Sequence, residues 1–158
     1  MDDDQGGWVV RSQEGKAVWA QGHLFVFKVD KEATGGSFSV TEMLVAPVPV
    51  LGAPPHTHLD EDEAFYVLEG RLSYQLGSRH AEATAGTLVF IPRGTVHAFS
   101  NIGPQPARLF FTLSPAGFEH FFEEVGEVAR SRSLPEPPGP PNLDQLAALA
   151  KKYHYRLG

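Results

Sequence analysis

Between residues 8 and 114 the chain consists of short apolar segments separated by glycine- and proline-containing turns, and this pattern constrains the fold more than any other feature. Residues 23–30 illustrate it, because Phe25, Phe27 and Val29 alternate with other residues and therefore share one face of a predicted strand. The 158 residues include 16 glycines and 13 prolines. Such frequent turn formers, without helical periodicity between the apolar segments, predict an all-β antiparallel barrel.

The centre of this region carries the clearest strand signals. Residues 63–68 predict a strand that ends at Glu69-Gly70, and residues 71–76 are expected to form its hairpin partner. Three more short strands are predicted at 87–91, 96–101 and 108–113.

The chain changes character after residue 114. Ser114-Pro115 is typical of a helix start, and apolar residues then recur at helical spacing from Phe118 to Val125. A final helix is expected to begin at Asn142, which with Gln145 fits a capping box. We therefore expect a single domain with five segments: a flexible tail at 1–7, a barrel at 8–114, a helix packed on the barrel at 115–130, a proline-rich connector at 131–141 and a C-terminal helix at 142–158.

Charge and composition exclude several classes of function. The chain has 13 basic and 19 acidic residues, a formal net charge of −6, and no basic run, which argues against nucleic acid and anionic membranes as partners. No apolar stretch is long enough to cross a bilayer, and the acidic start Met1-Asp2-Asp3-Asp4 is unlike a signal peptide, so a cytoplasmic location is expected. The absence of cysteine excludes a thiolate nucleophile and a cysteine zinc site.

Three histidines and one carboxylate form the pattern with the clearest chemistry. His56 and His58 share one face of a strand because they are two residues apart, and a hairpin would bring Glu63 back beside them. His97 opens a later strand after the turn Pro92-Arg93-Gly94. Three neutral imidazoles and one carboxylate inside a barrel suit a divalent first-row metal, and in an octahedral site they leave two positions for water, substrate or dioxygen. Strand parity makes Glu61 the competing carboxylate.

The spacing of these residues resembles the two motifs of the cupin superfamily. The first motif, His-x-His followed by Glu and then Gly, is matched by His56, His58, Glu63 and Gly70. The second motif is matched at each of its positions, by Gly86, Pro92, Gly94, His97 and Asn101. One departure is Gly52, which lies four residues before the first histidine instead of the usual six. The resemblance implies a cupin double-stranded β-helix, or jelly-roll barrel, here with two short C-terminal helices, and selects Glu63 over Glu61 as the metal ligand.

Several segments, among them 15–19, 62–70 and 114–119, are similar to small cupins related to bacterial quercetin 2,3-dioxygenase. This resemblance implies that His56, His58, Glu63 and His97 bind one divalent transition metal, with Mn, Fe, Ni, Co, Cu and Zn indistinguishable. It also implies that Glu63 is the catalytic base that deprotonates a flavonol-like, enolisable aromatic substrate, and that the protein is a homodimer assembled through exposed sheet faces.

The remaining candidates concern the substrate. Seven apolar residues are expected to line a pocket near the metal or to fill the barrel: Phe25, Phe27, Met43, Phe65, Val67, Phe99 and Phe111. Two alternatives to a dioxygenase stay open: a non-redox metal-dependent isomerase or epimerase, and a cupin that binds a small molecule without turnover. An isomerase of phosphorylated or carboxylated substrates normally needs an inward lysine or arginine, and the sequence predicts none.

Overall fold

The computed structural model describes residues 6–158, so most of the predicted flexible tail, residues 1–5, lies outside the described residues. Residues 6–158 form twelve β-strands and three short helices. The strands are β1 (Lys16–Ala20), β2 (His23–Val29), β3 (Ser39–Val45), β4 (Ala53–His58), β5 (Asp62–Glu69), β6 (Arg71–Leu76), β7 (Arg79–Thr84), β8 (Leu88–Ile91), β9 (His97–Asn101), β10 (Ala107–Ser114), β11 (Glu127–Val128) and β12 (Tyr155–Leu157). The helices are α1 (Lys31–Thr34), α2 (Glu119–Val125) and α3 (Leu143–Lys152).

Two antiparallel sheets face each other and enclose the core. The larger sheet has the order β11-β1-β2-β3-β10-β5-β8, and the smaller one has the order β12-β4-β9-β6-β7. Every other side chain of β5 is buried, so that Glu63, Phe65 and Val67 point between the sheets while their neighbours point outward. The predicted all-β barrel is confirmed. In the described part of the chain no helix could span a membrane, since the longest, α3, has 10 residues.

The predicted hairpin between residues 63–68 and 71–76 is wrong. Strand β5 pairs with β10 and β8 in one sheet, whereas β6 pairs with β7 and β9 in the other. Gly70 lies between them with φ +94°, and a Cβ there would come within 2.7 Å of the Cβ of Ala107. A glycine at this position therefore lets the chain cross from one sheet to the other. A tight hairpin turn also favours glycine, so the local sequence does not distinguish the two.

Strand β7 was missed because its sequence is almost entirely polar. Only Ala83 of this strand is buried, and the strand lies at the edge of the smaller sheet, where solvent covers most of its side chains. An edge strand of this kind carries little hydrophobic pattern, so that neither alternation nor β-branched residues mark it.

The C-terminal region also differs from its prediction. Helix α2 begins at Glu119, because Ser114 ends β10 and its hydroxyl donates a hydrogen bond to the carbonyl of Ser37. Asn142 does cap α3, accepting a hydrogen bond from the amide of Gln145. However, the helix ends at Lys152, and the last residues form β12, which pairs with β4. Helical periodicity could not reveal this strand because its pairing partner lies almost a hundred residues earlier.

Asn101 ties the two sheets together from within the core. Its side-chain amide donates to the carbonyls of Val45 (3.0 Å) and Gln105 (2.8 Å), and its oxygen accepts from the amide of Gly103 (2.9 Å). Val45 belongs to the larger sheet and Asn101 to the smaller one. The side chain is completely buried, so removing its amide would take a hydrogen bond from each of these backbone groups, and the bond to Val45 is itself buried.

We expect Asn101→Ala to lower the free energy of unfolding by about 2–4 kcal/mol, because it leaves buried backbone groups unsatisfied. Chemical denaturation of the metal-free protein measures this value. Asn142→Ala is the matched control, since it removes one exposed capping bond that typically contributes about 1 kcal/mol. Equal destabilisation by the two changes would contradict the role assigned to Asn101.

Candidate metal centre

The structure brings three histidines and one glutamate together inside the barrel. His56 and His58 lie on β4, His97 on the neighbouring β9, and Glu63 on β5 in the opposite sheet. One ligand atom from each residue lies within 4.8 Å of the others. The hairpin expected to bring Glu63 beside His56 and His58 does not exist. Glu63 instead reaches the imidazoles across the interior, because β4 and β5 belong to different sheets.

The carboxylate of Glu63 is the centre of the cluster. Its Oε2 lies 3.1 Å from Nε2 of His97 and 3.7 Å from Nε2 of His58. The ring of His56 lies 4.1 Å from that of His97 and 5.0 Å from that of His58, measured between centroids. Glu63, His58 and His97 are buried, and His56 is partly buried.

Backbone carbonyls orient two of the rings. Nδ1 of His56 lies 2.8 Å from the carbonyl oxygen of Pro54, and Nδ1 of His97 lies 3.0 Å from that of Thr95. Each Nδ1 donates its proton to a carbonyl, which can only accept, and Nε2 is therefore directed toward the cluster. Metal-binding histidines are commonly held in this way, with the non-ligating nitrogen donating to an outer group.

The electrostatics of the metal-free cluster follow from burial and from these contacts. Burial, reinforced by the neighbouring imidazoles, lowers the pKa of His56 to about 4, so this ring is neutral at physiological pH. Burial alone would raise the pKa of Glu63, but the hydrogen bond from His97 and the nearby histidines lower it below its usual range. Burial alone would likewise lower the pKa of His97, yet the bond to Glu63 raises it.

These contacts fit a divalent cation. Nε2 of His97 donates its proton to the Glu63 carboxylate, and a divalent metal held by these residues would compete with that proton. Three imidazole nitrogens and one carboxylate oxygen are donors that Mn, Fe, Co, Ni, Cu and Zn all accept. The residues could therefore hold such an ion, and its identity is left open by the donor set.

The turn Pro92-Arg93-Gly94 joins the two segments that carry the cluster. The amide of Gly94 donates to the carbonyl of His58 (2.8 Å), and both the amide and the guanidinium of Arg93 donate to the carboxylate of Asp62. The guanidinium and amide of Arg93 lower the pKa of Asp62 to about 2. The turn thus fixes the end of β4 and the start of β5 relative to β9.

The acidic residues 60–62, at the start of β5, contain one buried side chain. Glu61 is buried, and its Oε2 lies 3.6 Å from Nδ1 of His58, on the side of that ring away from Glu63. Glu61 is not among the four residues whose ligand atoms converge, so it does not take the place of Glu63. Strand alternation had made Glu61 a competing ligand. Glu61, however, lies before the start of β5, so its position is set by the preceding loop and not by the alternation of the strand.

The remaining histidines lie outside the cluster. His23 is fully buried and hydrogen-bonded to the backbone of Leu51 and Ala46, which is a packing role. His80 is exposed on β7, His120 on α2 lies beside Glu32 and Glu123, and His154 is exposed beside Asp60.

An apolar cavity of about 80 Å³ adjoins the cluster. Five of the seven predicted pocket residues line it: Phe25, Met43, Phe65, Phe99 and Phe111. Phe27 and Val67 are buried in the core but are not part of the lining. Gly52, the residue that departs from the first motif, lies at the cavity and packs so closely on Phe99 that an added Cβ would come within 2.5 Å of its ring.

The sequence analysis missed the residues that cover this cavity. They come from the C-terminal region and comprise Phe118, Phe121, Phe122, Leu146, Tyr155 and Leu157. The ring of Phe118 stands edge-to-face on that of His58 at 4.2 Å. The helical spacing of the phenylalanines predicted a buried face, but it could not indicate that this face closes the mouth of the barrel.

We expect His97→Ala to weaken binding of Zn²⁺ or Co²⁺ by roughly 100-fold or more, because it removes one of the four donors. Isothermal titration with each metal measures the affinity, and elemental analysis measures occupancy. His80→Ala, which changes an exposed histidine of β7, should bind as the unmodified protein does. Equal affinity of the two variants would show that the cluster is not the metal site.

Comparison with known proteins gives several matches to part of the chain. A Methanocaldococcus jannaschii protein of uncharacterized function is 35% identical over 72 residues, which are 46% of this chain and 57% of that protein. The polyketide synthase protein CurC of Streptomyces cyaneus is 38% identical over 60 residues, 38% of this chain and 39% of CurC. The tetracenomycin polyketide synthase protein TcmJ of Streptomyces glaucescens is 32% identical over 60 residues, 38% of this chain and 40% of TcmJ. The chain thus spans between 39% and 57% of the length of these relatives.

Solved structures share the fold at low sequence identity. KdgF from Halomonas has a TM-score of 0.61 at 15% identity, over 73% of this chain and 98% of that one. A sugar phosphate isomerase from Silicibacter pomeroyi has a TM-score of 0.59 at 18% identity, over 68% of this chain and 75% of that one. The nucleoside dehydratase Pac13 from Streptomyces has a TM-score of 0.57 at 18% identity, over 85% of this chain and all of that one. Residues 44–113 match the sequence profile of the family described as Cupin domain. This segment is therefore similar to the Cupin domain family, and the fold of the chain is the cupin β-barrel.

Proposed function

We propose that the protein is a metal-dependent dioxygenase whose substrate is an apolar, enolisable compound of the flavonol, catechol or diketone type. The main support is the position of Glu63, a buried carboxylate that lies both among the three imidazoles and in the lining of an apolar cavity. A group in this position can serve as a ligand and also reach a hydroxyl of a substrate bound in the cavity.

His56, His58, Glu63 and His97 would hold the ion. A bound divalent metal supplies Lewis acidity, which lowers the pKa of a hydroxyl that approaches it. Glu63 accepts the hydroxyl proton as general base, and the resulting enolate is the electron-rich form that reacts with dioxygen. His56 and His97 hold their orientation during this transfer because their Nδ1 atoms remain bonded to backbone carbonyls.

The apolar lining supports an aromatic or otherwise nonpolar substrate. Phenylalanine rings from both sheets and from the C-terminal region surround the cavity, and they exclude water from the reactive enolate. The lining residues in the described part of the chain include no lysine or arginine, and Arg71, Arg93 and Arg108 are each paired with surface carboxylates. A phosphorylated substrate would find no lysine or arginine side chain in this lining, which argues against the isomerase alternative.

The relatives are consistent with an enolisable substrate. Two of them are named as polyketide synthase proteins, and polyketides as a chemical class carry the β-dicarbonyl and phenolic groups that ionise to enolates. The size of the cavity favours a small compound. At about 80 Å³ it is below the roughly 300 Å³ at which sites for drug-sized ligands begin, so a one-ring catechol or a short diketone suits it better than a flavonol.

We expect the metal-loaded protein to consume oxygen with at least one member of a panel of flavonols, catechols and β-diketones. Glu63→Gln should lower the rate by about 100-fold or more, because general-base catalysis contributes 10²–10⁴. An oxygen electrode measures the rate, and metal content is measured on each sample so that rates are compared per bound ion.

The matched control is Glu69→Gln, at the exposed end of the same strand. It should retain the rate of the unmodified protein. The dioxygenase proposal fails if the fully loaded protein consumes no oxygen with the whole panel. Ligand-induced thermal stabilisation in that case would favour a binding protein without turnover.

We further propose that a second copy of the chain packs on the outer face of the larger sheet. On that face β8 exposes Leu88 (61%) and Phe90 (57%) beside the stacked rings of Tyr66 and Phe110. Arg108 borders these residues with both of its carboxylate partners, so that the rim carries both signs of charge. Two copies related by a two-fold axis would bury the apolar centre and place opposite charges across from each other.

We expect light scattering to give the mass of a dimer, and Phe90→Glu to give a monomer, because it buries a charge in the apolar contact. Leu143→Glu is the control, since Leu143 is equally apolar and 71% exposed but lies on α3. A monomeric unmodified protein, or dissociation by the control alone, would contradict this assembly.

A further inference from the structure

The C-terminal strand places two side chains beside the metal-binding histidines. Strand β12 pairs antiparallel with β4, so that Tyr155 lies opposite His58 and Leu157 lies opposite His56. Residues paired in this way project from the same face of a sheet. Both side chains accordingly line the same cavity as the histidines.

The hydroxyl of Tyr155 is buried without a partner. The side chain is 6% exposed, and within residues 6–158 its oxygen has no hydrogen-bond partner. Its ring is held edge-to-face by Phe121 at 5.2 Å and by Phe118 at 5.5 Å. A buried hydroxyl without a hydrogen bond is costly, and Tyr155 is one of the residues that line the cavity, so that a compound bound there could supply the missing partner.

The other tyrosine hydroxyls of the region differ from that of Tyr155. Tyr153 donates its proton to the carboxylate of Glu124, at the contact between α3 and α2. Tyr74 also has a buried hydroxyl without a partner, but it is not part of the cavity lining. Apart from Tyr155, the polar side chains of the lining are Gln21 and the cluster residues His56, His58 and Glu63.

We propose that Tyr155 is a substrate-binding residue, whose hydroxyl donates a hydrogen bond to an oxygen of the compound held between the cavity and the metal-binding cluster. The inference rests on the proposed function, in that it takes this cavity to be the substrate site. It adds a neutral donor to a site whose other groups act as ligands or as base, and the donor comes from the C-terminal strand.

Protonation favours this role. Burial raises the pKa of Tyr155, so the phenol keeps its proton and donates over the physiological range. A donor aimed at an enolate or carbonyl oxygen stabilises the negative charge that forms when Glu63 removes the substrate proton. The donor on β12 and the base on β5 therefore approach the same substrate oxygens from opposite sheets.

The test compares Tyr155→Phe with Tyr153→Phe in the full-length, Zn²⁺-loaded protein. Binding of quercetin, 4-nitrocatechol and acetylacetone is measured without oxygen, by absorbance or calorimetry. We expect Tyr155→Phe to weaken binding of at least one probe by about tenfold, the usual effect of one hydrogen bond. Tyr153→Phe should leave binding unchanged, because its hydroxyl contacts Glu124 and not the cavity.

Thermal unfolding without any probe separates binding from a structural role. Removing an unpartnered hydroxyl should leave the Tm of Tyr155→Phe unchanged or higher, and the affinity for Zn²⁺ unchanged. A lower Tm or weaker Zn²⁺ binding would overturn the inference in favour of a structural role. It would also be overturned if Tyr155→Phe matched the unmodified protein with all three probes, including the case in which neither binds any of them.

Oxygen uptake distinguishes failure of the inference from failure of the proposed function. Binding that depends on Tyr155 in a protein that consumes no oxygen would sustain the substrate-binding role and refute the dioxygenase. If the protein turns over substrate and Tyr155→Phe leaves both KM and kcat unchanged, the dioxygenase proposal is supported and the substrate-binding role of Tyr155 is refuted.

Discussion

The buried carboxylate of Glu63 must be stabilised by the residues around it, and much of the structure serves this need. Glu63 points into the interior of a barrel whose other contents are largely apolar, where an isolated negative charge would be strongly unfavourable. The imidazoles of His97 and His58 offset this cost, and together with His56 they form a cluster that could hold a cation. The cluster therefore stabilises the charge and at the same time defines the chemistry available to the protein.

The barrel positions these groups through contacts that lie outside the cluster. Asn101 bonds the two sheets, Gly70 lets the chain cross between them, and the turn ending at Gly94 ties β4 to the segment before β9. None of these residues contacts the cation position. Each of them limits how far the sheets carrying Glu63 and the histidines can move relative to one another. The distances between the four side chains are therefore held nearly constant, as a binding site built from several side chains requires.

The C-terminal region converts an open barrel into an enclosed cavity. Phenylalanines of the α2 region pack against His58 and the core, and β12 extends the smaller sheet beside the ligand strand. Glu124 links α2 to α3 by accepting bonds from Lys152 and Tyr153. The same segment thus excludes water, limits the cavity to about 80 Å³ and contributes Tyr155 to its lining. Because this segment supplies much of the cavity lining, it has a direct influence on the size and shape of a compound that the cavity can hold.

The amino-acid sequence alone was sufficient to predict the all-β fold and the four residues of the cluster. Alternation and turn residues are local signals, and the spacing of His56, His58, Glu63 and His97 is a property of the chain order. The partner of each strand, by contrast, depends on contacts between distant segments. For this reason Glu63 reaches the imidazoles from the opposite sheet and not through a hairpin, the polar edge strand β7 went unrecognised, and Tyr155 was assigned to a helix. Only the tertiary structure placed the last strand of the chain beside the ligands, because pairing between residues almost a hundred positions apart leaves no mark on the sequence around either of them.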